Sequence, residues 1–167
     1  PRCSGGGRVG FQTAEILADL GHDVAIIEQD DRIVSEIADE WMVTVFQGDA
    51  TNPDIIEQAG IEEADVIAAL TGESGLNLAV CLAATELSSG IRTVARIDRA
   101  ASESYTRFVD AVVFPERAGS RVAANEILGS DVQTLADVTG TLDIILVRVA
   151  EGAPAAGKQL TDVRFPA

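Results

Sequence analysis

Ser4-Gly5-Gly6-Gly7-Arg8-Val9-Gly10 decides the fold of this 167-residue chain, because Gly5, Gly7 and Gly10 fall at the spacing of a strand-to-helix turn that wraps a diphosphate. In such a turn Gly5 supplies the tight bend, Gly7 lets the backbone approach a pyrophosphate, and Gly10 lets helix and sheet touch. The spacing alone is a weak signal, and its context strengthens it. Val9, Thr13, Ile16, Leu17 and Leu20 recur on one face of a helix that stops at Gly21. Asp23-Val24-Ala25-Ile26-Ile27 then reads as a short buried strand, with Glu28 at its carboxyl end. A carboxylate there accepts hydrogen bonds from both ribose hydroxyls and repels a 2′-phosphate, which points to NAD rather than NADP.

The composition bounds the alternatives. Hydrophobic residues make up 47% of the chain and aromatics only 4%, a balance that suits parallel strands covered on both faces and allows one well-buried core with a small appended piece. No apolar run reaches the roughly 20 residues of a membrane span, and no charged-then-apolar leader opens the sequence, so a soluble chain is expected. Cys3 and Cys81 lack any CxxC or CxxH spacing, which makes them ordinary thiols of a reducing compartment rather than a disulfide or metal ligands. The net charge of −15 combines 27 acids with 12 basic residues, and Lys158 is the one lysine. A basic face for nucleic acid is therefore not expected. Such a surface repels itself in dilute buffer but is screened within about 3 Å at molar salt, the condition of a halophile's cytoplasm.

Further along, strands and helices alternate. Strands are predicted over 42–46, 64–70, 92–97 and 110–114, and helices over 52–58, 73–87, 102–108 and 118–128. Asn52 caps the first of these helices with Pro53 at its first position. Ala118, Val122, Ile127 and Leu128 line one stripe of the last. The pattern predicts an α/β doubly wound parallel sheet with its ligand across the carboxyl ends of the strands. Gly129-Ser130-Asp131 closes that unit, so residues 1–131 form the nucleotide-binding domain. Residues 132–143 are polar and mixed, 142–149 form a strand, and 132–167 read as a linker with the start of a second, small domain. Residues 1–4 are too few for the full apolar strand that normally leads into the glycine turn. If the chain begins at Pro1, the sheet is expected to lack its central strand.

Gly48-Asp49-Ala50-Thr51-Asn52-Pro53, Ala59-Gly60-Ile61-Glu62-Glu63-Ala64-Asp65, Thr71-Gly72-Glu73 with Asn77, and Val94-Ala95-Arg96 join the glycine run and Glu28 in a pattern that resembles the nucleotide-binding domain of Trk-type potassium uptake regulators, the RCK or KTN domain. The resemblance covers residues 4 to about 128. It implies a Rossmann-like fold, and Gly157-Lys158-Gln159-Leu160 resembles the opening of the family's α+β carboxyl-terminal domain. It further implies that Gly5, Gly6, Gly7, Arg8, Val9 and Gly10 form the pyrophosphate turn and that Glu28 is the ribose acid. Asp49 and Ala50 would border the adenine, Thr71 and Gly72 would line the cofactor's midsection, and Arg96 would reach a phosphate or ribose. Glu28 stands where family members often carry Asp, so NAD(H) and an adenine nucleotide such as ATP, ADP or AMP both stay open. The implied partner is a potassium transporter or channel on the cytoplasmic face of the membrane. The regulator itself would be a homodimer that assembles into a ring.

An NAD-dependent oxidoreductase is the competing reading. Hydride transfer needs an acid or base beside the nicotinamide, usually His, Lys or Tyr. His22 sits in a Gly-His-Asp turn, Tyr105 has no lysine four residues on, and Lys158 lies in the partial second domain. No catalytic residue is assigned, and a binding regulator is the expectation.

Overall fold

The computed structural model describes residues 1–39, 43–97, 105, 107–128, 132–135, 144–147, 149 and 152–158. The chain divides into two compact units, Pro1–Glu116 and Arg117–Ala167.

The first unit is a six-stranded sheet. Its strands are β1 (Arg2–Ser4), β2 (Ala25–Glu28), β3 (Thr44–Gln47), β4 (Val66–Ala69), β5 (Arg92–Arg96) and β6 (Ala111–Val113), in the spatial order β3-β2-β1-β4-β5-β6. Every pairing is parallel. Among the described residues the unit's helices are α1 (Arg8–Asp19), α2 (Asp31–Asp39), α3 (Pro53–Gln58) and α4 (Ser74–Leu87), with a 3-10 turn at Ile61–Glu63, and α5 (Pro115–Leu128) begins in this unit and runs into the second. The strand order reverses direction between β1 and β4, which is where a doubly wound sheet opens its ligand crevice.

Successive strand residues point to opposite faces, and the core divides accordingly. Cys3, Ile26, Ala68 and Leu70 pack with Ala14 of α1 and Ile37 of α2. Ile27, Ile67, Ala69 and Ala95 pack on the other face with Ile56 of α3 and Val80, Cys81 and Ala84 of α4. Burial pushes the Cys3 thiol up to about 11 and the Cys81 thiol up to about 12, so both behave as small apolar groups.

Four expectations need correction. Residues 2–4 do supply the central strand, because three residues suffice when both neighbours pair with them, Cys3 opposite Ile26 on one side and Ala68 on the other. Arg2 is buried and anchors that strand, donating through Nε to the Ala59 carbonyl and through Nη1 to Asp23 Oδ2 at 3.2 Å. Secondly, the helix α2 went unread, although Ile33 and Ile37 stand at i, i+4. Thirdly, the apolar stripe read on α1 is only partly its packed side. Gly10 and Ala14 are its buried residues, while Ile16 is 61% and Leu20 70% exposed. Small residues bring the helix close to the sheet, which turns the larger side chains away. Lastly, α5 starts at Pro115, three residues before its predicted beginning, since Pro needs no hydrogen bond for its nitrogen in a first turn.

Of the helix predicted over 102–108, residues 102–104 and 106 lie outside the described residues; Tyr105 is helical and packs partly buried against the core. In the second unit β7 (Val132–Leu135) pairs antiparallel with β8 (Ile144–Val147), Val132 opposite Val147. A strand thus occupies the beginning of the segment read as polar and mixed. The strand predicted over 142–149 is described as β8.

Candidate functional site

At the carboxyl end of β1 the chain turns sharply. Gly5 takes φ +93°, a left-handed conformation that side chains disfavour, and its N–H donates to the Ile27 carbonyl at 2.9 Å. The ladder continues on the other side, where Leu70 N–H donates to Ser4 O at 2.9 Å. Each glycine then answers to a different neighbour. A methyl group on Gly6 would come within 2.6 Å of Ile37 Cδ1 and 2.9 Å of Ile33 Cγ2, so α2 closes over this residue. A methyl group on Gly10 would overlap the Gly5 carbonyl oxygen. Gly7 has nothing within 4 Å of such a group, which leaves the backbone open to an approaching ligand. Gly7 also stands at the N-cap of α1 without any side-chain cap, and Arg8 next to it is exposed. The first turn of α1 is thus left without a side-chain cap, and uncapped amides at a helix N-terminus are groups that can receive an anion.

Glu28 closes the other side of the turn. Its Oε2 accepts from Gly6 N–H at 2.6 Å, and its Oε1 accepts from Gln29 N–H at 2.7 Å and Asp30 N–H at 2.9 Å. Three backbone donors fix the carboxylate at the end of β2, and among the described residues no ion pair is made to it. A carboxylate offers about four acceptor positions, so capacity for a ligand hydroxyl is left. Next to it Asp30 holds Arg32, whose backbone and side-chain hydrogen bonds keep the Asp30 carboxyl below its ordinary value.

Asp49 lies two residues beyond Gln47, the register partner of Glu28. Its Oδ1 accepts from the Thr51 backbone N–H at 2.8 Å and the Thr51 hydroxyl at 2.7 Å, and these bonds lower its carboxyl below the usual range. Ala50 is buried beside it. Asn52 caps α3 by accepting from Asp54 N–H at 3.1 Å, as its position before Pro53 predicts.

Across the switch point, Thr71 stands against the glycine turn, its Cγ2 3.0 Å from where a Gly5 Cβ would be. Gly72 is exposed, with open space around it. Arg96 ends β5 and pairs with Glu116 in the first turn of α5. The residue that joins these parts is Asn77 of α4, which is fully buried and bonded to both Thr71 and the Arg96 carbonyl. Sequence reasoning quoted Asn77 as part of a pattern and gave it no role. The signal was one amide inside an otherwise apolar helix. Glu116 went unread because its partner is twenty residues away.

The structure thus brings Gly6 and Glu28 into direct contact, pairs Gly5 with Ile27 and sets Thr71 against the turn. Arg8 and Asp49 are exposed at its margins, and Arg96 is held by Glu116. His22 is exposed after α1, and Lys158 is exposed in the second unit. Among the described residues no group of three or more His, Cys, Asp or Glu side chains is placed to hold a metal ion.

The TrkA-N domain family model matches residues 4–115. A Trk system potassium uptake protein TrkA homolog of Pyrococcus abyssi is 34% identical over 174 residues, which cover 97% of this chain and 74% of the relative. Among solved structures, the TrkA-N domain of the inner membrane protein ybaL from Escherichia coli superposes with a TM-score of 0.67 at 25% identity, over 76% of this chain and 94% of that one. GsuK in its ADP-bound crystal structure matches with a TM-score of 0.61 at 28% identity, over 74% of this chain and 32% of that one. With the glycine turn, the acid after β2 and the 3-2-1-4-5-6 sheet all in place, this chain belongs to the TrkA-N domain family.

Proposed function

We propose that this chain is a nucleotide-binding regulatory domain of a potassium transport system, and that it works by binding an adenine nucleotide rather than by turning it over. The observation that carries the reading is the Gly6–Glu28 contact, a carboxylate held by backbone donors beside the open amides of Gly7 and the first turn of α1. That arrangement suits a ribose on Glu28 and a diphosphate at the helix terminus. NAD(H) is the favoured ligand, with ATP, ADP or AMP as the related choices. The solved relative that carries ADP supports the class. Gly5, Gly6, Gly7, Arg8, Val9 and Gly10 would hold the diphosphate, Glu28 the ribose and Asp49 with Ala50 the adenine. Thr71, Gly72 and Arg96 would serve the remainder.

The relatives' naming as Trk potassium uptake proteins supports a membrane transporter or channel as the partner. Among the described residues no helix is long and apolar enough to cross a membrane, which suits a chain attached at the cytoplasmic face. Val122 and Ile127 are exposed on α5, at 55% and 83%, and Leu82 on α4 at 48%, which suits a homodimer that builds a larger ring. On this reading residues 1–131 are the nucleotide-binding domain and 132–167 the beginning of the carboxyl-terminal one.

Regulation by such a domain needs only that the nucleotide binds one conformation better than another. The test is calorimetry of the full chain in molar potassium chloride with NADH, NAD, ATP and ADP. Binding by the wild type and its loss in Glu28→Ala is the expected result, whereas equal heats for both refute the pocket. Incubating NADH with carbonyl substrates while following absorbance separates regulator from oxidoreductase, and steady turnover would overturn the regulator.

A further inference from the structure

Asn77 is the buried polar side chain that the site residues themselves do not explain. It sits in the first turn of α4, completely enclosed, and every hydrogen-bonding position of its amide is in use. Its Oδ1 accepts from the Thr71 backbone N–H at 3.0 Å and from the Thr71 hydroxyl at 2.7 Å. Its Nδ2 donates to the Thr71 carbonyl at 3.0 Å and to the Arg96 carbonyl at 2.8 Å. One side chain therefore grips both backbone polar groups of Thr71, two residues beyond β4, and the last carbonyl of β5. These are the two strand ends that form the far half of the crevice, and Thr71 in turn leans on Gly5.

A helix-capping role does not account for this pattern, since it extends from the loop that enters α4 to the Arg96 carbonyl at the end of β5. A buried amide leaves unpaired groups costly, so these two strand ends have one spacing and not several. The near half of the crevice, around Glu28 and Asp49, makes no hydrogen bond with Asn77.

We propose that Asn77 is a positioning residue for the second half of a dinucleotide: by fixing Thr71 and the Arg96 backbone at one separation, it determines the preference of this site for a dinucleotide over a mononucleotide. The proposal rests on the reading of the crevice as an adenine-nucleotide site. A doubly wound sheet is built from two mononucleotide-binding halves, and the β1–β3 half holds an adenosine monophosphate without help from β4 and β5. Loss of Asn77 removes hydrogen bonds from the other half alone.

The test titrates the full chain with NADH and with AMP by calorimetry in molar potassium chloride, for the wild type, Asn77→Ala, Asn77→Asp and Glu28→Ala. In Asn77→Ala NADH binding is expected to weaken by about tenfold or more, the effect of a small misplacement at a binding site. AMP affinity is expected to stay within about twofold, a difference of under 0.5 kcal/mol. Asn77→Asp keeps both acceptor positions toward Thr71 but loses both donor bonds, to the Thr71 and Arg96 carbonyls, and sets a buried carboxylate against those oxygens, so the same selective loss is expected at equal or larger size. If the alanine and aspartate variants give no cooperative melting transition, Asn77→Ser, a neutral polar replacement that fills part of the space, decides. Equal weakening of NADH and AMP, or unchanged NADH binding in the variant that folds, overturns the proposal. A wild type that binds neither ligand, or a Glu28→Ala variant that binds both as before, overturns the underlying assignment of the site instead.

Discussion

The two halves of the crevice are held together in different ways. On the β1–β2 side, Gly5 N–H bonds the Ile27 carbonyl and Gly6 N–H the Glu28 carboxylate, and the side chain that matters follows the glycine turn by one helix and one strand. On the β4–β5 side, Thr71 and Arg96 are fixed by a side chain from α4, Asn77, and the Arg96 guanidinium is paired with Glu116. The near half is thus built from chain-local geometry, which a short motif can encode. The far half is built from tertiary contacts, and its tuning lies in residues outside any motif.

Mutations that strike one half and spare the other test this contrast. The largest effect is expected at Gly10, where any side chain meets the Gly5 carbonyl oxygen; Gly10→Ala is expected to cost on the order of 4 kcal/mol of stability, read as a drop in the urea midpoint. Removing the carboxylate in Glu28→Ala leaves the fold in place and weakens AMP and NADH alike, by roughly 10- to 100-fold in calorimetric titration. If only NADH suffered, the near half would have been misassigned. Arg96→Ala is expected to weaken NADH by about tenfold while AMP changes little, because on the proposed reading its guanidinium would serve the far half alone. An AMP affinity that falls just as far would erase the distinction between the halves.

The smallest effect lies away from the crevice. Asp110 accepts from Thr93 N–H at 2.8 Å and from the Thr93 hydroxyl at 2.9 Å, and these bonds lower its carboxyl below the ordinary 3.8. A lowered value in the folded chain means a stabilising contribution that is complete above 3.8 and disappears as pH falls through the folded value. Asp110→Asn is expected to flatten the acid limb of a melting-temperature profile slightly, with no change in nucleotide affinity. A change in affinity would mean that the far edge of the sheet communicates with the site.

How much was legible follows the same division. The alternation of strands and helices, the Asn52–Pro53 cap and the place of Glu28 were readable because each depends on neighbours a few residues apart. The three-residue central strand was not, since Arg2–Ser4 has no periodicity of its own and exists by pairing with β2 and β4. The exposed face of α1 was misjudged for a related reason. Apolar spacing marks a stripe, but the close approach of Gly10 and Ala14 to the sheet turned Ile16 and Leu20 outward. Gly6 shows the same limit: its spacing says only that a glycine is present, while Ile33 and Ile37 of the unread α2 show what a side chain there would strike.

By itself the sequence determined the fold class, the glycine turn and the acid at the end of β2, because backbone conformation and hydrophobic period act over short distances along the chain. Only the tertiary structure decided which glycine answers to which neighbour, that Asn77 joins Thr71 to Arg96, and that Glu116 holds the Arg96 guanidinium. The physical reason is that a buried hydrogen bond between distant elements depends on where packing has placed them, and packing is a property of the whole core.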